Sequence, residues 1–439
     1  VTLLIISPDY ASHLLPLATL GTAWRDAGER VVVATGPATA SIVTSFGFER
    51  TDLRLARGSN PGVIRADDQP AGEDESLRGF FAATREGMIE TLAYQAEERL
   101  TDLMWEPVTV GRQVRRVVAD VAPDAIIVDH LAFSARLALD ASGISYADVV
   151  LGHPSALPLS GEVYGFPPQW PDSFAPDPDA LRRLRELCER VSASFTAEWN
   201  RALALLDPAA VPSTSAFEEH GDLLMFNYPE QLHDSERTAR LPEHVFLGSA
   251  VRTEAPDAEV DEWLATSDEP FVYVSFGSFL SVRSDVLARV AAALRQLGLR
   301  AAIALGSADR GELGELPLSW LVREYLPQVT LLRSAAAAVS HGGNNSVTEA
   351  MTCGVPLVVL PFSTDQFAGA AGVERAGVGV ALPPNSSSVA DIADAITRVI
   401  DGARPTAIAE ALAQRPGPRR AFEAMTRSRI ASGSDAASR

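Results

Sequence analysis

Short apolar runs that alternate with helical stretches set the strongest limit on how this chain folds. They stand at 1–6, 31–34, 125–128, 271–275, 301–305, 336–340 and 357–360. Runs this short and this continuously apolar read as strands buried on both faces, the state of parallel strands covered by helices. The opening shows the unit in full: a strand at 1–6, a loop with Ser7-Pro8-Asp9 and His13, a helical pattern at 17–27 closed by Gly28, and a strand at 31–34. A second opening of the same kind begins at 271–275, with Phe276-Gly277-Ser278 in its turn, a helix at 285–297 and a strand at 301–305. The echo is architectural and does not amount to a sequence repeat. A length of 439 residues allows two such units, each with its own core. An α/β fold of two doubly wound halves is therefore expected. The polar stretch 252–259 marks the boundary, giving a first half at 1–250, a second at 251–415 and a terminal segment at 416–439. Helical patterns at 407–413 and 421–428 are separated by Pro416-Gly417-Pro418, and 431–439 is expected to fray.

The densest chemistry lies at 324–366. The run at 336–340 ends in His341-Gly342-Gly343 and passes through Asn344-Asn345-Ser346 into an amphipathic stretch at 347–352, which makes a strand, a glycine turn and a helix start. Glycines let backbone approach an anion closely, and the unpaired N–H groups of a new helix favour negative charge. A diphosphate fits such a turn without a metal. His341, Asn345 and Ser346 add side-chain donors, and Glu349, one turn on, is placed to accept from ribose hydroxyls. After Gly354-Val355-Pro356 and the strand at 357–360, the next turn presents Asp365 and Gln366, a pair suited to sugar hydroxyls. Taken alone, Gly342-Gly343 also serves as a tight turn and Asn345 as a helix cap.

The block as a whole resembles the donor-binding signature of the family-one, UDP-sugar-dependent glycosyltransferases. Pro327-Gln328, His341, Gly343, Asn345, Ser346, Glu349, Gly354-Val355-Pro356 and Asp365-Gln366 stand in the family's order. Where plant members carry the tryptophan that stacks on the base, this chain has Tyr325, a smaller aromatic platform, followed by Leu326. Arg333-Ser334 stands where the family often has His-Pro, and no role is carried over to it. Ser278 resembles the residue that touches the donor phosphates. The resemblance implies the GT-B fold: two Rossmann-like domains facing across a cleft, acceptor in the first, nucleotide sugar in the second, and a last helix returning to the first. It is nearest in look to the antibiotic and macrolide glycosyltransferases of actinomycetes.

A lone histidine at a helix start, such as His13, is on general grounds a cap or a surface residue. The resemblance implies otherwise, since the family carries here, often as G-H-x-x-P, the general base that acts on the acceptor. Ser12 replaces the glycine, while His13 and Pro16 keep their spacing. Such a base needs its second nitrogen held by an orienting group, usually a carboxylate. Asp129 ends the strand at 125–128 and precedes the helical run 133–141, at the same sheet edge as His13, and the family places its dyad aspartate in this turn. The alternative for Asp129 is a helix cap. His130 is a weaker rival that would suit an acceptor pocket, and Asp124 lies before the strand, away from the site.

Acceptor contacts are expected from Phe80, Met88, Phe133, Tyr164, Phe166 and Trp170, with 164–170 as a rim or lid; Phe81 and Trp105 are further apolar candidates. Each of these also suits an ordinary core. The net charge of −20 disfavours binding nucleic acid through a basic patch. Asp67-Asp68 and Glu73-Asp74-Glu75 read as a solvated, mobile loop, and the resemblance implies that it edges the acceptor pocket. No apolar run approaches the roughly 20 residues of a membrane span, and 1–6 reads directly as a strand instead of a signal peptide. With only Cys188 and Cys353, a reducing cytoplasm is expected, and no Cys/His spacing suggests a metal.

The reading is an inverting, metal-independent glycosyltransferase without a cofactor. It moves a sugar from a nucleotide diphosphate sugar to an oxygen or nitrogen of a lipophilic natural product, acting as a monomer or homodimer. Glu349 favours UDP over dTDP, because it can use both ribose hydroxyls, and Asp365-Gln366 favours a fully hydroxylated sugar such as glucose. A non-catalytic auxiliary protein of the same fold and a sugar-nucleotide 2-epimerase are the alternatives.

Overall fold

The structure, a computed structural model, describes residues 1–436. Its first sheet is built from β1 (Thr2–Ile6), β2 (Arg30–Thr35), β3 (Glu49–Asp52), β4 (Ala125–Asp129), β5 (Ala147–Val150), β6 (Leu223–Phe226) and β7 (His244–Phe246). All are parallel, in the order β3-β2-β1-β4-β5-β6-β7. The second sheet holds β8 (Phe271–Ser275), β9 (Arg300–Ala304), β10 (Leu321–Arg323), β11 (Ala337–Ser340), β12 (Leu357–Val359) and β13 (Gly379–Ala381). It too is parallel, in the order β10-β9-β8-β11-β12-β13.

Both faces of each central strand are covered, which is why the runs read as continuously apolar. In β1, Leu3 and Ile5 pack with Leu17, Leu20 and Trp24 of the Ala11–Asp26 helix, whereas Leu4 and Ile6 face Val110 and Val114 of the Pro107–Val121 helix. In β8, Val272 and Val274 meet Val286 and Val290 of the Ser284–Leu297 helix, while Phe271 and Tyr273 join the opposite layer. That opposite layer is continuous with Tyr228 and Leu232 of the first sheet's side, so one apolar cluster spans both halves.

The strand order fixes where a ligand can sit. Each sheet reverses direction of growth beside its first strand, between β1 and β4 in one and between β8 and β11 in the other. At such a switch point the loops leaving neighbouring strands part to opposite faces and open a crevice at the carboxyl ends. The segments that leave β1, β4, β8 and β11, loops and the first turns of the helices they enter, carry His13, His130, Ser278 and His341.

After the Thr406–Gln414 helix the chain passes back to the first sheet in the Gly417–Ala436 helix. Phe422 meets Trp24 edge-on at 5.0 Å, and Arg420 donates to the Phe246 carbonyl at 3.1 Å. A Cβ on Gly417 would lie 2.5 Å from the Ser249 carbonyl oxygen, so only glycine allows this approach. Of the segment expected to fray, 431–436 lies in this helix and 437–439 lie outside the described residues.

The acidic segment at 67–75 differs from the expected mobile loop. Asp67 and Asp68 sit in the Ala66–Asp68 turn, while Glu73, Asp74 and Glu75 form the first turn of the Glu73–Glu86 helix. Negative charge there complements the helix dipole, and Arg78 bridges Asp74 and Asp67 at 2.6 and 2.8 Å. The glycines and prolines that suggested a loop instead deliver the chain to that helix start. Among the described residues no helix is long and apolar enough to cross a membrane.

Candidate active site

A cleft of about 670 Å³ lies between the two sheets' carboxyl ends and is lined by residues of both halves. On the first-half side, His13 begins the Ala11–Asp26 helix and Asp129 ends β4, one strand away. Asp129 Oδ2 lies 2.7 Å from His13 Nδ1, and its Oδ1 accepts the Leu131 N–H at 2.9 Å. The carboxylate is buried and the imidazole is 23% exposed toward the cleft it lines. With Nδ1–H donating to Asp129, the neutral ring carries its lone pair on Nε2.

Opposite stands the glycine turn after β11. Gly342 has φ +83, and a Cβ on it would lie 2.6 Å from Val359, so both backbone and space demand glycine. Gly343 is the N-cap of the Asn344–Thr352 helix, and no side chain caps the helix's first N–H groups. The His341 ring is held between two glycines: a Cβ on Gly343 would meet Nε2 at 2.3 Å, and one on Gly277 would meet Cε1 at 2.7 Å. Burial pushes the His341 pKa down to about 4, although the Ser275 carbonyl beside it favours a proton on the ring. His341 is thus neutral near pH 7, and its Nδ1 makes no hydrogen bond of ordinary geometry among the described residues.

Asn345 Nδ2 donates to the Ser12 carbonyl at 2.8 Å, which pins the anion-type helix start beside His13. Ser278 accepts from Asn60 Nδ2 at 3.1 Å, and its own carbonyl accepts the Ile64 N–H at 3.1 Å. Asp365 accepts the His153 backbone N–H at 2.5 Å, and Gly152 makes room for that carboxylate. Tyr325 leaves β10 57% exposed, a free aromatic face on the cleft. Leu326, Gln328, Gly343 and Ser346 also line the cleft.

The family model for UDP-glucoronosyl and UDP-glucosyl transferase matches residues 233–407, which contain this whole turn region. A glycosyltransferase of PGL/p-HBAD biosynthesis from Mycobacterium tuberculosis is 28% identical over 312 residues, covering 69% of each chain. Together these comparisons support a glycosyltransferase of the family-one type. The 4'-demethylrebeccamycin synthase of Lentzea aerocolonigenes is 26% identical over 417 residues, 89% of this chain and 90% of that one. Among solved structures, the kitacinnamycin glycosyltransferase superposes with a TM-score of 0.69 at 19% identity, covering 97% and 98% of the two chains, and establishes the GT-B fold. The calicheamicin glycosyltransferase CalG4 gives a TM-score of 0.63 at 19% identity over 97% of each chain.

Three expected site residues stand away from the cleft, and a fourth, Gln366, lines it with its amide engaged by the protein. Glu349 does not line the cleft: it is buried, with Oε1 taken by Arg252 at 2.6 Å and Oε2 by Gln328 at 2.6 Å. Burial, joined by the charge of Glu254, raises the Glu349 carboxyl, Arg252 and Gln328 act against it, and the group stays above its ordinary range. The ribose contact expected of Glu349, and with it the preference for UDP, loses its basis. Gln366 turns back on its own loop, where Oε1 accepts the Phe362 and Ser363 N–H groups at 3.0 and 3.3 Å and Nε2 donates to Ser363 Oγ at 3.2 Å. That amide closes a turn in which Thr364 is held at φ +51, so its polar ends are engaged within the protein. Met88 lines a separate pocket of about 150 Å³ with Thr84, Phe174 and Phe362. Trp170 packs on Phe367 at 5.1 Å and does not reach the cleft.

The remaining acceptor-side residues, Phe80, Phe133, Tyr164 and Phe166, all line the cleft. Tyr164 is less a lid than a wall, stacked flat on Phe217 at 4.0 Å with Arg99 over its other side at 4.5 Å. Trp105 packs in the first-half core, and Asp124 accepts the Thr2 N–H at 2.7 Å at the far edge. Sequence reasoning missed Arg252, which lines the cleft and pairs with both Glu349 and Glu254. Its partner Glu349 is 97 positions away, so no local pattern announces the pair. Among the described residues no three metal-ligating side chains come together.

Proposed function

We propose that this enzyme transfers a sugar, with inversion and without a metal or cofactor, from a nucleotide diphosphate sugar to a hydroxyl or amine of a lipophilic small molecule of the natural-product kind. Residues 1–250 take the acceptor, 251–415 the donor, and the Gly417–Ala436 helix ties the second half back to the first. The observation that carries this reading is the His13–Asp129 pair at 2.7 Å, facing an uncapped helix start that Asn345 fastens to Ser12.

In this reading His13 Nε2 takes the acceptor proton as the acceptor atom bonds to the anomeric carbon. Asp129 holds the ring and stabilises the imidazolium. The bond from the anomeric carbon to the diphosphate breaks, through an oxocarbenium-like state, and charge grows on the departing oxygens. The N–H groups at 344–346, with Ser278, Ser346 and neutral His341 as donors, stand where that charge develops. Tyr325 stacks on the base and Asp365 accepts from sugar hydroxyls, as the family resemblance implies. The aromatic walls, and relatives named for rebeccamycin and kitacinnamycin, support a lipophilic acceptor of the natural-product kind. UDP-glucose and a dTDP-sugar both remain donors to test, since Glu349 is engaged. The free thiols of Cys188 and Cys353 suit a reducing cytoplasm.

Replacing His13 with alanine tests the mechanism. The expected result is a fall in kcat of about a hundredfold or more with nucleotide affinity nearly unchanged, as for loss of a general base. Turnover at the wild-type rate would remove His13 from the chemistry. Calorimetric titration with UDP, dTDP and their glucose conjugates, with and without magnesium, tests the donor side.

A further inference from the structure

Behind the His13–Asp129 pair, two buried polar atoms have no hydrogen-bond partner among the described residues: His130 Nε2 and Ser134 Oγ. The residues are 1% and 3% exposed, and both line the cleft. They stand four positions apart across the start of the Phe133–Asp140 helix, on a stretch of cleft wall that also includes Phe133 and Tyr164. An unpaired buried polar atom costs free energy, and most such atoms in folded proteins are paired, so two together at one cleft wall point to a ligand that pairs them.

The network beneath fixes what His130 offers. Its Nδ1 lies 3.0 Å from Asp148 Oδ2, which also meets Arg136 Nε at 3.3 Å, while Arg136 donates to the His130 carbonyl at 2.7 Å. Burial alone raises the Asp148 carboxyl, but Arg136 and His130 outweigh it and hold it below the ordinary range. The carboxylate therefore takes the proton side of His130, Nδ1–H, and leaves Nε2 as a bare acceptor. Arg136 and Asp148 are fully buried, so the ring has a rigid mount.

Resting on the acceptor-transfer reading above, we infer that His130 Nε2 and Ser134 Oγ form a polar anchor that selects acceptors bearing a second hydrogen-bond donor, a hydroxyl or N–H, apart from the group that receives the sugar. The donor group gives its hydrogen to Nε2, and the Ser134 hydroxyl completes its coordination. An acceptor without that group leaves both atoms unpaired in an aromatic pocket.

The test is binding by fluorescence titration of 2,6-dihydroxynaphthalene and of 2-naphthol, which differ by one hydroxyl, to the wild-type chain and to the Ser134→Ala and His130→Gln variants. UDP and dTDP titrations in parallel report the donor half. The wild type is expected to bind the diol at least about tenfold tighter. The variants should lose most of that preference while their 2-naphthol and nucleotide affinities hold. Ser134→Ala removes only an unpartnered hydroxyl, so it keeps the fold should His130→Gln not. Equal affinities in the wild type, a preference that survives in the variants, or no binding of either naphthol overturns the anchor. Failure of sugar transfer with the binding preference intact would instead count against the transfer reading alone.

Discussion

At the scale of single residues, the donor turn depends on missing atoms as much as on present ones. Gly343 has an ordinary backbone conformation, φ −60, so any residue could adopt it; what forbids a side chain is His341 Nε2, 2.3 Å from where a Cβ would stand. Gly343→Ala is therefore expected to leave the fold in place and swing His341 out of its slot. Nucleotide affinity should drop by about tenfold or more, read by calorimetry, the size of one or two lost charge-assisted hydrogen bonds. An unchanged affinity would show that neither the ring nor the Gly343 backbone touches the phosphates. His13 and Asp129 were legible in the sequence because each ends or follows an apolar run, and the strand order then has to bring them together. The Asp148 mount of His130 was not legible, since it needs Arg136 and a strand register that only the folded sheet supplies.

At the scale of elements, the Asn344–Thr352 helix is held at both ends by pairs from other elements. Asn344 and Asn345 reach carbonyls at Asn227 and Ser12, and Glu349 meets Arg252 and Gln328. The sequence pattern gave the helix and its glycine turn correctly, yet it pointed Glu349 at the ligand. A helical carboxylate one turn inside the start fits either role, and the buried cation that decides between them comes from the crossing strand of chain at 252. Glu349→Ala strips Arg252 of one of its two carboxylates inside the protein. A loss of about 3 kcal/mol, measured by urea unfolding, is expected, since removing one partner leaves a buried charge undercompensated. Glu349→Gln keeps the Arg252 bond on its amide oxygen and, with the Gln328 amide turned over, donates to the Gln328 oxygen, so it should cost clearly less. If the two variants were equally stable, the charge of Glu349 would have no structural part.

For the whole molecule, the seam between the halves holds imidazoles that stay uncharged. Burial lowers His153 well below its ordinary value and His233 to about 4, and their rings lie 5.5 Å apart near the Gln366–Arg375 helix. His341 adds a third, at about 4. Each is neutral in the folded chain and titrates near its ordinary value when unfolded, so the unfolded state binds more protons as pH falls. Their contribution is complete above about pH 6.5 and is lost as pH drops toward 4. Asp140, raised to about 6 chiefly by burial, takes up a proton in the folded state over part of that range and offsets one of them. The melting temperature is expected to fall by several degrees between pH 6.5 and 4.5, less steeply in His233→Asn; a flat profile would mean that these rings are solvated.

The polypeptide passes between the two sheets twice, once around residues 247–257 and again at the start of the Gly417–Ala436 helix. A body joined to another at a single point may tumble, but one joined at two can only swing about the line through both. Opening of the cleft is thereby reduced to one rotation, and every such swing returns Asn345 to the same partner beside His13.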